Sequence, residues 1–285
     1  VIGPKNHRRW EISILPGEDP KEVATEERTW KLLSRWLTPE DGQLWRQASY
    51  RFHALVARQW RKGRVFLAGD AAHMQPPFLG QGMCQGIRDV ANLSWKLAAV
   101  LQGEVAGGAA QALLDSYGTE RQAHVRELTS RIKAVGAVIC EREPAKARAR
   151  DARLLQECGG VVRDTPRQDI LPRLECGLLS AEPGAARGSL FPQPRLQGER
   201  MDEVAGHGWR LVLAPGVEAP GGVGFDATVV ALSPSDDDEG VAAEWFRRCE
   251  CVAALLRPDN YVFGVARSPS QVVSLMQEAR AALHG

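Results

Sequence analysis

Three features of the sequence predict a mixed α/β (α+β) chain with more than one compact unit. Short β-rich runs, such as residues 8–15 and 65–68, alternate with long helical stripes, of which residues 83–101 are the clearest. The last third orders strand, strand, helix, hairpin and helix, the pattern of a small α/β domain. Between the two parts, residues 182–198 collect Gly and Pro and suit an interdomain linker.

The chain has 285 residues, 44% hydrophobic and 25% charged, enough for a buried core and more readily two units than one. Formal net charge is +1 with no dominating basic or acidic block, so neither nucleic acid nor a charged membrane surface is an expected partner. No apolar run approaches the roughly 20 residues of a membrane span, and the first residues lack a charged-then-apolar signal layout. A cytoplasmic location is expected. The six cysteines, Cys84, Cys140, Cys158, Cys176, Cys249 and Cys251, form no C-x-x-C pair and have no His at metal-ligand spacing. No metal site or disulfide framework is therefore expected, and the thiols are read as reduced. The sequence starts at Val1 and enters at once into strand-like residues, as a piece of something longer would.

Taken in order, residues 8–15 (RRWEISIL) alternate and stop at Pro16-Gly17, which predicts a strand. Residues 22–37 place Val23, Trp30, Leu33 and Leu37 on a helical stripe ended before Pro39, and residues 48–57 form a second extended run. Val65 to Ala68 is fully apolar and ends at Gly69-Asp70, as a buried parallel strand feeding a functional loop does. Residues 83–101 carry Met83, Ile87, Val90, Ala91, Trp95, Ala98 and Leu101, with Arg88, Asp89, Asn92 and Lys96 among the rest, predicting a long amphipathic helix. Helix continues over 111–139, with 141–153 as its solvated end. Strands follow at 209–213 and 227–232, then an acidic loop at 236–239 and a short helix around Glu244. A hairpin turns at Pro258-Asp259-Asn260 between 253–256 and 261–265, and a final helix spans 269–283 with Pro269 in its first turn. Domain limits are expected at 1–62, 63–182 and 183–285.

Chemistry concentrates in GRVFLAGDAAHMQPPFLGQGMCQGIRDVANLSWKLAAVLQG, from Gly63. A carboxylate at the end of a strand, Asp70, can accept a hydrogen bond from a ligand hydroxyl. Backbone N–H groups at a helix start can stabilise negative charge, and Gly80 and Gly82 let that backbone approach a ligand without a Cβ in the way. Pro76 and Pro77 hold the loop extended and remove donors. Each element alone is commonplace, and Gly80, Gly82 and Gly86 do not match the dinucleotide fingerprint G-x-G-x-x-G; the combination is what points to a cofactor site.

With Gly69-Asp70-Ala71-Ala72-His73, Pro76-Pro77, Gly80-Gln81-Gly82-Met83 and Asp89, Asn92-Leu93, Trp95-Lys96-Leu97, the stretch resembles the second FAD motif of class A flavoprotein monooxygenases. The phenol hydroxylase and 3-(3-hydroxyphenyl)propionate hydroxylase branch is the most similar. His7 to Glu11 and Arg51 to Ala54 resemble that branch's substrate domain, so residues 1–62 are expected to be a remnant of it. Residues from about Gly188, through Leu256-Arg257-Pro258-Asp259-Asn260-Tyr261, resemble its C-terminal thioredoxin-like domain. The resemblance implies the C-terminal part of a Rossmann-like FAD-binding fold followed by that domain. It also implies FAD as cofactor, NADPH or NADH as co-substrate, O2, and hydroxylation of a phenolic or polycyclic aromatic molecule. Gly69, Asp70, Pro76, Pro77, Gly80, Gln81, Gly82, Met83 and Cys84 would hold the ribityl and ring side of FAD, with Phe78 and Leu79 as substrate-side walls. No catalytic side chain is implied.

Two departures stand out. The family's first G-x-G-x-x-G unit and its middle Asp-Gly motif do not occur here, so the N-terminal FAD-binding portion is an expected missing partner, and roughly half of a typical enzyme is absent. Cys84 stands where many relatives have Asn. A polyketide or antibiotic tailoring hydroxylase and a non-catalytic binding or assembly module are the alternatives, and a homodimer is left open. His73 is read as a packing or hydrogen-bonding residue, Arg88 and Asp89 as not paired with each other, and Trp30, Trp36, Trp45 and Trp60 as core or interface. Cys249-x-Cys251 has the wrong spacing for dithiol redox chemistry.

Overall fold

A computed structural model describes residues 6–284, apart from 163, 166, 220, 222, 223, 234–236 and 238. The chain forms two compact units, one ending at Phe52 and the other beginning at His53.

In the first unit, Asp19 accepts from the Lys21 N–H at 2.8 Å to start α1 (Pro20–Val23), and Thr25 accepts from the Arg28 N–H to start α2 (Glu26–Leu33). The single helix expected over 22–37 is thus two, divided where Thr25 leaves helical geometry to cap the second. Residues 8–15 form no strand, a correction to the expectation. Their alternating pattern finds no partner strand among the described residues, and Trp10, Ile12 and Leu15 remain exposed. Trp36 meets Trp10 and Trp45 meets His7 in tilted ring contacts at 5.0 Å, yet Trp36 is 56% and Trp45 85% exposed, so neither is a core residue of this unit.

The second unit opens with β1 (Leu55–Val56), β2 (Arg61–Lys62), β3 (Val65–Phe66) and β4 (His73–Met74). β1 pairs antiparallel with β4, and β2 with β3. The buried parallel strand expected at 65–68 is instead one arm of this small hairpin. Gly63, at φ +60°, turns the chain back on itself, and Val65 is exposed. Two long helices follow, α3 (Gly82–Leu101) and α4 (Gly107–Ile139). Of residues 141–153, expected as the end of α4, 141–143 are not helical and 144–153 belong to a separate helix, α5 (Pro144–Glu157), because Pro144 can start a helix but not continue one. A short α6 (Arg167–Ile170), the hairpin β5 (Arg195–Leu196) and β6 (Glu199–Arg200), and α7 (Met201–Ala205) come next.

The last part is built on β7 (Arg210–Leu213), β8 (Thr228–Ala231), α8 (Val241–Cys249), β9 (Ala253–Leu256), β10 (Val262–Ala266) and α9 (Pro269–His284). The sheet runs β10-β9-β7-β8, with β7 and β8 parallel and the other pairs antiparallel. Period-two alternation divides its core. Val212, Ala254, Leu256 and Val262 pack with Trp245 and Phe246 of α8, while Leu211, Leu213, Ala253 and Phe263 pack with Val272, Leu275 and Met276 of α9. Of the acidic loop expected at 236–239, residues 236 and 238 lie outside the described residues; Asp237 caps α8 by accepting from the N–H groups of Val241, Ala242 and Ala243 at 2.8–3.0 Å.

Residues 182–198 are not a free linker. The Gly188 N–H donates to Val262 O, the Val262 N–H to Ser189 O and the Phe191 N–H to Asn260 O, while Phe191 lies against Trp245 at 4.7 Å. Apolar Phe191 and Ala186 tie the segment to the sheet, which composition alone does not reveal. Leu283 of α9 packs with Ala99, Val105 and Leu113, so the sheet and the α3–α4 pair share one unit.

Gly188 has φ +73°, and a Cβ there would overlap the Leu174 carbonyl, whereas a Cβ at Gly184 meets nothing within 4 Å. Gly188→Ala should therefore lower unfolding stability by about 2 kcal/mol or more and Gly184→Ala by less than about 0.5 kcal/mol in denaturant titrations. Equal midpoints would contradict this packing.

Candidate functional site

The loop between β3 and α3 folds into two single 3-10 turns, Gly69–Ala71 and Pro77–Leu79, separated by β4. Gly69 takes φ +58° and its N–H donates to Asp89 Oδ2 at 3.0 Å. A Cβ on Gly86 would lie 3.4 Å from the Gly69 Cα, so the first turn sits directly against α3. Asp70 is exposed and has no hydrogen-bond or ion-pair partner among the described residues. Pro76 leads into the second turn and Pro77 opens it. Gly80 closes it at φ +61°, donating its N–H to Pro77 O at 2.8 Å.

Gln81 is buried, bonding Leu79 O at 3.3 Å and accepting from Arg88 Nη1 at 3.2 Å. α3 then starts at Gly82 with no side chain capping it, which leaves the first-turn N–H groups of Gly82, Met83 and Cys84 available. A Cβ at Gly80 or Gly82 would meet nothing within 4 Å. The sequence-selected glycines, prolines, Gln81, Met83 and Cys84 therefore lie together at the start of α3, with Asp70 on the neighbouring turn. A carboxylate without a protein partner, an uncapped helix start and open space before two glycines fit a ligand that carries hydroxyls and an electron-rich edge, as a flavin does. Phe78 and Leu79 are half-buried, and the Phe78 ring lies so close to α4 that a Cβ on Gly136 would overlap it.

α3 is turned the opposite way from the expectation set by its apolar stripe. Gln85, Asp89, Asn92 and Lys96 are fully buried, whereas Met83 is 77%, Ile87 59% and Val90 56% exposed. The inversion is possible because every inward charge meets a partner. Asp89 Oδ2 accepts from His73 Nε2 at 2.7 Å as well as from Gly69, and Oδ1 accepts from Arg121 Nε at 2.9 Å. Arg121 Nη2 donates to Gln85 Oε1 at 2.9 Å. His73, stacked at 5.6 Å on buried Trp60, is thus a hydrogen-bonding core residue.

One turn further along, Glu120 Oε2 accepts from Asn92 at 2.7 Å and from Lys96 and Arg257 at 2.8 Å, while Oε1 accepts from Leu178 N–H at 2.8 Å and Arg257 at 3.1 Å. Arg257 also forks onto Asp259 at 2.7 and 3.1 Å. Burial would push the Glu120 carboxyl up, but Arg257 and Lys96 overcome it and hold the group at about 2. Burial draws Lys96 down to about 8 against the pull of Glu120. Arg257 stays charged, because Asp259 and Glu120 outweigh its own desolvation.

Sequence reasoning gave no site role to Glu120 or Arg121, and read Arg257 and Asp259 only as part of the hairpin. A signal was present in α3, where Gln85, Asp89, Asn92 and Lys96 recur at helical spacing and form a polar stripe as regular as the apolar one. Arg88 and Asp89 are not paired with each other; Arg88 turns to Gln81. Cys249 and Cys251 are free thiols, and burial pushes Cys251 up to about 12, the reverse of a reactive dithiol.

Residues 5–132 match the family model described as FAD binding domain. Over 99% of its length the chain is 37% identical to a probable NADH-specific resorcinol 4-hydroxylase of Rhodococcus jostii, covering 54% of that protein. Over 72% of its length it is 38% identical to a 3-(3-hydroxy-phenyl)propionate/3-hydroxycinnamic acid hydroxylase of Mycobacterium avium, covering 37% of it. The chain thus spans about half the length, or less, of these curated relatives. Among solved structures, the flavin-dependent monooxygenase PieE, in complex with FAD and substrate, is similar in fold at TM-score 0.69 and 22% identity, over 95% of this chain and 56% of that one. Aklavinone-11 hydroxylase, in a ternary complex with FAD and aklavinone, is similar at TM-score 0.62 and 26% identity, over 92% and 52%.

Burial, with Arg121 and Arg88 nearby, pulls His124 from 6.5 down to about 2. Below pH 6.5 the unfolded chain binds a proton that the folded chain refuses, so this contribution is complete above pH 6.5 and is lost as pH falls toward 2. Between pH 6 and 5 the wild-type should lose about 1.4 kcal/mol per pH unit more than His124→Gln in denaturant titrations. Parallel curves would contradict a neutral His124.

Proposed function

We propose that this chain belongs to the FAD-dependent aromatic hydroxylases and supplies the ribityl and isoalloxazine side of a flavin site in an enzyme that hydroxylates a phenolic ring. The observation that carries this is the pairing of a partner-free Asp70 carboxylate with the uncapped start of α3, held side by side by the Gly69–Gly86 approach. Bound FAD would supply the redox chemistry, taking reducing equivalents from NADH or NADPH and activating O2.

The chain's own residues bind and orient. Asp70 accepts from a ribityl hydroxyl, and the backbone of Gly80, Gln81, Gly82, Met83 and Cys84 offers N–H groups to the ring edge, where negative charge collects on reduction. Pro76 and Pro77 fix the loop that carries them. Phe78, seated on α4, and Leu79 wall the substrate side and keep water from the ring. Single-ring phenols are the favoured substrates, because the relatives at 37–38% identity are named for them, whereas the aklavinone enzyme is 26% identical. A cytoplasmic location goes with this role and with six free thiols; no helix among the described residues is long and apolar enough to cross a membrane.

Two outcomes test the proposal. As purified, the chain should carry less than stoichiometric FAD, because it contains no G-x-G-x-x-G for the adenine side; a full equivalent of flavin absorbance would contradict this. When FAD is titrated and its fluorescence quenching followed, Asp70→Ala should weaken binding roughly tenfold, the loss of one hydrogen bond to a charged group at about 1.5 kcal/mol. Identical affinities, or no saturable binding to the wild-type, would sink the assigned role.

A further inference from the structure

The hairpin between β9 and β10 lies far along the chain from the loop carrying Gly69 and Asp70, yet an unbroken set of buried polar contacts joins them. Arg257 and Asp259 stand on that hairpin. Glu120 receives the Arg257 fork on one side and Asn92 and Lys96 of α3 on the other, while Asn92 also donates to Asp259 Oδ2 at 2.8 Å. α3 is thereby gripped at Asn92 and Lys96, and a rigid helix gripped at one turn carries its other turns with it. One turn earlier on the same face is Asp89, whose carboxylate takes the Gly69 N–H at 3.0 Å. Glu120 has a direct neighbour in Arg121, which holds the other oxygen of Asp89.

Apolar packing seats the later turns of α3 through Leu93, Trp95 and Ala99, but its first turns carry Met83, Ile87 and Val90 outward and present Gln85 and Asp89 inward, so the end nearest the loop is held by buried polar contacts. The hairpin is the only source of Arg257 and Asp259, and Arg257 is the cation that bridges Asp259 to Glu120.

We propose that Arg257 and Asp259 are positioning residues for the flavin loop: through Glu120 and Asn92 they fix the rotation of α3, and through Asp89 that rotation fixes Gly69 and hence the placement of Asp70. The mechanical link stands on the contacts alone; the use of the loop rests on the flavin function proposed above.

Amide hydrogen exchange by NMR on the whole chain tests the link without any ligand. Arg257→Lys keeps a positive charge and loses the planar fork, and Asp259→Asn weakens the same junction while leaving the Arg257–Glu120 pair in place. In both, the Gly69 amide should exchange about tenfold faster or more, while the amides of Ala214 and Val252, which flank β7 and β9 and bond to Val252 O and Ala266 O, change by less than about threefold. Asp89→Asn should release Gly69 similarly, and adding Arg257→Lys to it should produce no further release. Unchanged Gly69 exchange, or loosening by the same factor at Ala214 and Val252, overturns the link. FAD titration of Arg257→Lys separates the two claims. Weakened binding with a released Gly69 supports both, and a released Gly69 with unaltered FAD affinity contradicts the flavin role of the loop alone.

Discussion

The junction of α3, α4 and the β9–β10 hairpin is arranged around a buried anion, Glu120. Glu120 is fully enclosed and accepts five hydrogen bonds, from a helix lysine, a helix amide, a backbone N–H and both ends of an arginine fork. A carboxylate stripped of water is costly unless such donors replace it, and removing one partner of a buried pair typically costs about 3–5 kcal/mol. Gly177, at φ +95°, is confined by the same group, since a Cβ there would overlap the carboxylate. Backbone, helix and hairpin all supply donors to Glu120, so its burial joins segments distant in sequence.

From that junction the candidate site follows by geometry. α3 is held with its polar stripe inward, the stripe brings Asp89 under the Gly69–Ala71 turn, and the turn leaves Asp70 outside with nothing of the protein to bind. The start of α3 is left uncapped beside it. The polar groups proposed to face a ligand are thus few and unpartnered, whereas the charges behind them, Asp89 with Arg121 and Glu120 with Lys96 and Arg257, are all paired. Rigidity behind a small exposed set is what a binding surface for a flavin requires, because affinity then depends on groups already in place.

Local signals in the sequence were sufficient for the elements that contain their own grammar. α3 begins at Gly82 where the stripe predicted Met83, the hairpin turns at Pro258-Asp259-Asn260, and α9 starts at Pro269. They were insufficient where a partner decides. Residues 8–15 alternate as a strand does, but a strand needs a neighbour to pair with, and no local pattern supplies one. The two stripes of α3 are equally periodic, and hydrophobicity alone points the wrong one inward. What reverses the choice is Glu120 and Arg257, the latter 137 positions beyond the former, and no window of sequence contains both. The glycines and prolines of the loop were legible because each shapes the backbone within a few residues of itself; the charges that hold the loop were not, because their meaning is tertiary.

The measurement that bears most directly on the whole account is a crystal structure of the protein soaked with FAD. A ribityl hydroxyl is expected within hydrogen-bond distance of the Asp70 carboxylate, with the ring edge over the N–H groups at Gly82 to Cys84 and Asp89 still holding Gly69. Flavin bound elsewhere, or α3 rotated so that Met83, Ile87 and Val90 face inward and Asp89 leaves Gly69, would contradict it.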